Sequence, residues 1–184
     1  MVTRSVVLKS APMIVRGYEG KTPRLGGRVF VAENAVLIGD VELGNDVSIW
    51  YGTVVRGDVN FIRIGARTNI QDNCTLHVEA DGGPTIIAEE VTVGHAAIVH
   101  GCKVHRGALI GMGARVLSGA VVGESALVGA GAVVSEGMIV PPRTLAVGVP
   151  ARVKRELTEK ELERLEMSWR HYVEVKERYL SDER

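Results

Sequence analysis

At 184 residues the chain suits one domain, with at most an appended element, and it is long enough to bury a sizeable core. Its 22 Lys and Arg balance its 22 Asp and Glu, which argues against a nucleic acid or an acidic membrane surface as the main partner. Two cysteines are too few for a disulfide scaffold. Aromatics make up only 4 % of residues, so the core must be built from small and branched aliphatic side chains.

The opening stretch, MVTRSVVLKSAPMIVRG, holds no uninterrupted apolar run of signal-peptide length, and no later stretch approaches bilayer-spanning length. The expectation is a cytoplasmic protein with residues 1–24 as a lead-in. From Leu25 an aliphatic residue recurs every six positions: Leu25, Val31, Leu37, Leu43, Ile49, Val55. After a three-residue slip come Ile64, Ile70 and Leu76. After a four-residue insertion the run continues through Ile86, Thr92, Ile98, Val104, Ile110, Val116, Val122, Val128 and Val134. Four places after nearly every one sits a small or β-branched residue, in the last block Ala96, Cys102, Ala108, Ala114, Ala120, Ala126 and Ala132. Gly44, Gly65, Gly111, Gly123 and Gly129 directly follow the aliphatic position.

Period six fits neither a helix nor a plain strand. It fits a short strand plus a corner, three of which make a triangular coil whose stacking completes parallel sheet bonds. The pattern predicts an all-β solenoid. The repeat resembles the hexapeptide-repeat proteins, which implies that this parallel β-helix is left-handed. Cys74 and Cys102 fall at the small inward position and read as core packing. Past Val134, Pro141, Pro142 and Pro150 break the pattern where a return strand or loop leaves the solenoid. Thr158 and Glu161 then form a capping box, and Leu162, Leu165, Trp169, Tyr172, Val173 and Lys176 recur at helical spacing. The expected organisation is a β-helix domain over residues 1–150. One long C-terminal α-helix in residues 151–184 packs antiparallel along it.

Register turns this into geometry for the polar residues. Let Ile64, Ile70 and Leu76 open the first, second and third faces of one coil, with residues 80–85 a loop bulging at a corner. Ile86, Thr92 and Ile98 then open the faces of the next coil. His77 and His100 fall on the third face of successive coils, one and two places past their aliphatic residues. Arg56 and Asp58 lie on that face one coil earlier. His95 lies round a corner on the second face, with Gln71 and Asp72 one coil below. Three imidazoles suffice to hold a catalytic divalent ion and leave a position open for water. Here they would converge only if the second face of one subunit met the third face of another, as in a closed three-fold ring. His105 and His171 stand outside this constellation and read as tolerated surface residues.

The segments RGD (residues 56–58), NIQDN (69–73) and VGHAAIVHG (93–101), with His77, resemble the γ-class carbonic anhydrase family. The resemblance implies a metal held by His77 and His100 of one subunit and His95 of its neighbour in a homotrimer. It implies that Gln71 bonds the metal-bound water or hydroxide and that Arg56 and Asp72 form an inter-subunit ion pair. Asp58 and Asn69 would be polar groups of the substrate pocket, and Tyr172 an aromatic capping it. Neutral imidazoles leave a divalent ion its full Lewis acidity, so bound water loses a proton near pH 7 and the hydroxide attacks carbon dioxide, giving bicarbonate. Zinc is the expected ion; cobalt(II) and iron(II) suit the same ligands. Val59 follows Asp58 where the archetypal member carries an acid, and Glu79 and Asp81 are the only acids in the loop after His77. This resembles the shorter-loop subclass. Two other functions fit the repeat: a coenzyme A-dependent acyltransferase or thioester-processing enzyme, and a non-catalytic metal-binding trimer or assembly subunit.

Overall fold

The computed structural model describes residues 13–182, so residues 1–12 of the expected lead-in lie outside the described residues. The aliphatic repeat winds into a left-handed parallel β-solenoid of about seven turns with a single C-terminal helix. The second face is a sheet of eight strands. Seven run parallel, from Phe30–Val31 through Ser48–Ile49, Asn69–Ile70, Thr92–Val93, Leu109–Ile110 and Leu127–Val128 to Thr144–Val147. Arg152–Glu156 then returns antiparallel and covers the last edge. The other two faces share one 12-stranded sheet, because Val36–Leu43 and Val54–Ile64 run round the corner between them.

Like side chains stack up the interior. On the third face Leu37, Val55, Leu76, Val99, Val116 and Val134 are all fully buried. Burying each such side chain contributes roughly 1.5–3 kcal/mol. The glycines after the aliphatic positions leave room for the next coil: a Cβ on Gly65 would lie 2.3 Å from the Glu89 backbone nitrogen. Cys74 and Cys102 occupy the small inward positions, and burial pushes both thiols up to about 12. Neither is a nucleophile near neutral pH.

The register departs from the sequence reading at one coil. Ile64 pairs with Ile87, Ile70 with Val93 and Leu76 with Val99, so the inward residues there are Ile87, Val93 and Val99 rather than Ile86, Thr92 and Ile98. The inward small residue is Ala97, while Ala96 is exposed at a corner with φ 58°. The excursion after His77 adds five residues to its coil, and the next corner, between Val99 and Val104, is one residue short. The net insertion of four conceals both changes. Thr85, expected in the loop, begins a strand and is fully buried. Its hydroxyl donates to the His77 carbonyl and accepts from the Gly101 N–H, which ties two coils together. The three-residue slip at Asp58 is a bulge, with Gly39 opposite Gly57 but Val41 opposite Ile62.

The helix spans Glu159–Asp182. Its capping box forms as expected: the Thr158 N–H donates to Glu161, and the Glu161 N–H donates to the Thr158 hydroxyl. It starts near the last coil, where Arg143 pairs with Glu159, and ends with Tyr179 against Phe30 in an early coil. It therefore runs antiparallel to the growth of the solenoid. Leu165, Trp169 and Lys176 are its buried residues. Phe30, Trp50, Tyr172 and Tyr179 form a cluster of ring contacts beneath it.

Beside the helix, Glu90 accepts hydrogen bonds from Arg67 and Arg106. Burial pushes its carboxyl up, but the Arg106 and Arg67 guanidiniums outweigh that and hold it below its ordinary value. A depressed carboxylate contributes stability that is complete above the unfolded value of about 4.3 and disappears as pH falls through the folded one. Glu90→Gln is expected to cost about 1 kcal/mol at pH 7. The gap from wild type should be full at pH 7 and narrow as pH falls below the unfolded value of about 4.3, as thermal melts across that range would read.

Candidate metal centre

The solenoid brings His77 and His100 together on the third face. They are direct partners in adjacent strands, each one place past its inward aliphatic residue, with ring centroids 5.1 Å apart. His77 Nδ1 lies 3.1 Å from His100 Nε2. Two nitrogens on one tetrahedral zinc, at bond lengths of about 2.0–2.1 Å, would stand about 3.3–3.4 Å apart.

Outside partners fix what those two nitrogens can do. His77 Nε2 lies 2.9 Å from Asp58 Oδ1. Burial raises the Asp58 carboxyl, but hydrogen bonds from His77, Arg56 and backbone N–H groups hold it down at about 2, so it is a carboxylate and only accepts. Nε2–H must donate to it, and the neutral ring then carries its lone pair on Nδ1. On the other ring, His100 Nδ1 lies 3.0 Å from the Ser118 hydroxyl, whose own proton goes to Glu79 Oε2 at 2.8 Å. Ser118 therefore accepts from Nδ1–H, and the His100 lone pair is on Nε2. With both rings neutral, two lone pairs meet across 3.1 Å, which either a proton shared by the rings or a metal ion bound beside the two nitrogens would satisfy.

His95 lies on the adjoining second face, and its Nδ1 is 2.7 Å from Asp72 Oδ2, which leaves Nε2 without a partner among the described residues. Within one chain the three histidines do not converge. No group of three or more His, Cys, Asp or Glu positioned to hold a metal ion occurs among the described residues. Gln71 is on the His95 side: its amide donates to Asn69 Oδ1 at 3.2 Å and accepts from the His95 N–H at 3.2 Å. Asn69 in turn donates to Thr92 Oγ1, which is 3.1 Å from Ser168 Oγ of the helix. Within the chain Arg56 pairs with Asp58. Tyr172 is half-buried, packed edge-on to Trp50 at 5.5 Å. Burial and the Asp72 carboxylate raise its phenol. The candidate residues thus fall into two halves, Arg56, Asp58, His77 and His100 on one side and Asn69, Gln71, Asp72, His95 and Tyr172 on the other. Next to His95, an apolar hollow of about 420 Å³ is lined by Leu109, Met112 and Leu127.

Residues 101–136 match the family described as "Bacterial transferase hexapeptide (six repeats)". The carbonic anhydrase of Geobacillus kaustophilus is 48 % identical over 88 % of this chain and 88 % of its own. The mitochondrial gamma carbonic anhydrase 2 of Arabidopsis thaliana is 42 % identical over 88 % of this chain and 60 % of its own. The chain belongs to the γ carbonic anhydrase family. A hexapeptide transferase family protein from Anaplasma phagocytophilum has the same fold, with a TM-score of 0.87, 40 % identity, and cover of 90 % of this chain and 98 % of that one.

In this γ carbonic anhydrase family member, the residues that the sequence reading passed over are Ser118 and Thr85. Glu79 was noted only as an acid in the loop. Ser118 stands 18 residues after His100, but this coil is 17 residues long, with Val99 opposite Val116, so Ser118 lies one place past the residue in register with that ring and reaches it from the corner. His105 and His171 are exposed, as expected for residues outside the site.

Proposed function

We propose that the protein is a metal-dependent carbonate dehydratase that hydrates carbon dioxide reversibly to bicarbonate at sites shared between subunits of a homotrimer. The observation that carries this reading is the His77–His100 nitrogen pair, 3.1 Å apart with the other nitrogen of each ring already committed. A divalent ion there supplies Lewis acidity that brings a water's pKa to about 7. His77 and His100 hold it from one subunit and His95 from the next. Met112, well exposed at the edge of the apolar hollow beside His95, and the hollow itself offer a surface for the neighbouring subunit. Gln71, fixed by Asn69 and by the His95 backbone, orients the attacking oxygen through its amide. Asp58 keeps His77 in its ligating tautomer and presents a charged, pocket-facing carboxylate. The names of the Geobacillus kaustophilus and Arabidopsis thaliana relatives support the same substrate.

Acyl transfer is the second reading, favoured by the transferase description of the matched repeat. That description follows the fold, which carries many chemistries. A coenzyme A-dependent acyltransferase needs one histidine base, not three braced imidazoles. Stopped-flow hydration of carbon dioxide by protein purified without oxygen and loaded with zinc or iron(II) tests the proposal. A metal-dependent rate that His95→Ala abolishes is expected. One metal per chain with no hydration would leave a binding trimer, and acyl transfer from coenzyme A thioesters without metal would favour the second reading.

A further inference from the structure

Building on the metal-centre reading, we propose that Ser118, anchored by Glu79, is a positioning residue that selects the ligating tautomer of His100. The chain of contacts has one consistent direction. Glu79 is a carboxylate acceptor 2.8 Å from the Ser118 oxygen, so the single hydroxyl proton points to it. The Ser118 oxygen is then an acceptor for His100 Nδ1–H at 3.0 Å. Glu79 Oε2 also lies 3.7 Å from Nδ1, beyond direct hydrogen-bond reach, so Ser118 makes the contact.

Three features hold the relay in place. The Asn60 amide, from the bulge that also carries Asp58, donates to the Glu79 carbonyl at 3.1 Å. Glu79 and Gly83 close the excursion with reciprocal backbone hydrogen bonds. Gly101, at φ 53°, lets Glu79 and Ser118 approach: a Cβ there would lie 3.1 Å from Ser118 Oγ and 3.3 Å from Glu79 Cβ. The loop that departs from the archetypal pattern thus has a structural task, bracing His100 from the far side as Asp58 braces His77. Outer partners of this kind typically change metal affinity by about 10–100-fold.

The test uses the full chain, with zinc affinity measured by competition against a chelating dye and the His100 tautomer read by nitrogen-15 NMR of metal-free protein. Ser118→Ala is expected to weaken zinc binding about 10–100-fold with melting temperature and assembly unchanged, and to release the Nδ1–H preference of the neutral His100 ring. Ser118→Thr, which keeps the hydroxyl, should restore most of the affinity. Glu79→Gln, whose amide oxygen still accepts from Ser118, should lose less than Ser118→Ala. Wild-type protein that binds zinc while Ser118→Ala binds it within twofold, with the same tautomer, would overturn this inference alone. Wild-type protein that takes up no metal would overturn the metal-centre reading and this inference together.

Discussion

His95→Ala and His77→Ala chains, each unable to bind metal alone, are expected to regain it when unfolded and reassembled together. The reason is the division of the site. A His95→Ala chain still carries His77 and His100 as a braced pair, and a His77→Ala chain still carries His95, whose Nε2 has no partner among the described residues. In a closed three-fold ring every mixed trimer holds one interface where an intact pair meets an intact His95. Random mixing should therefore restore metal to about a quarter of the sites. The same fraction of hydration activity should return, since each site works by itself. A mixture as empty as its parents would mean that the three histidines belong to one chain's site after rearrangement, or to none.

Lys176→Ala is expected to destabilise the chain by about 3–5 kcal/mol, the range for breaking a buried ion pair from one side. Lys176 is fully buried, and its ammonium donates to Asp46 at 3.0 Å. Asp46 also accepts from Arg28, and these partners hold its carboxyl below the ordinary range. Removing the lysine leaves Asp46, among the described residues, with the exposed Arg28 as its remaining cation and opens a gap under the helix. Lys176→Met fills that gap and should cost less. Denaturant titration of the two variants separates packing from charge. Loss of the helix would also remove Tyr172 and Ser168 from the His95 side, so the Lys176→Ala protein should bind metal more weakly even below its melting temperature.

Most of the solenoid was legible because its rule is short. From Val104 to Val134, an aliphatic residue every six places and the small one between them fall on buried positions: Val104, Ala108, Ile110, Ala114 and Val116 are all buried. The rule failed at Ile86, Thr92 and Ile98, where a lengthened excursion and a shortened corner partly cancel. No periodicity reports how an insertion is divided between two corners; only strand pairing does. The pairing of His77 with His100 survived that error, because a one-residue shift still left them neighbours. Separation of His95 survived it too, since it depends on the face and not on the exact register. Lys176 was legible as part of the helix's inner stripe but not as an ion pair, because its partner Asp46 is 130 residues away. Ser118 lies one place past the residue in register with His100, and a serine at a corner gives no chemical signal until the ring beneath it has been assigned.

The roles proposed for His77, His95 and His100 all depend on one ion bridging two subunits. Anomalous scattering from crystals of zinc-loaded protein locates that ion without assuming its ligands. The expected map has one peak per interface, coordinated by His77 Nδ1 and His100 Nε2 of one subunit and by His95 of its neighbour. A peak held by residues of a single chain, or none on the face that carries His77 and His100, would contradict it.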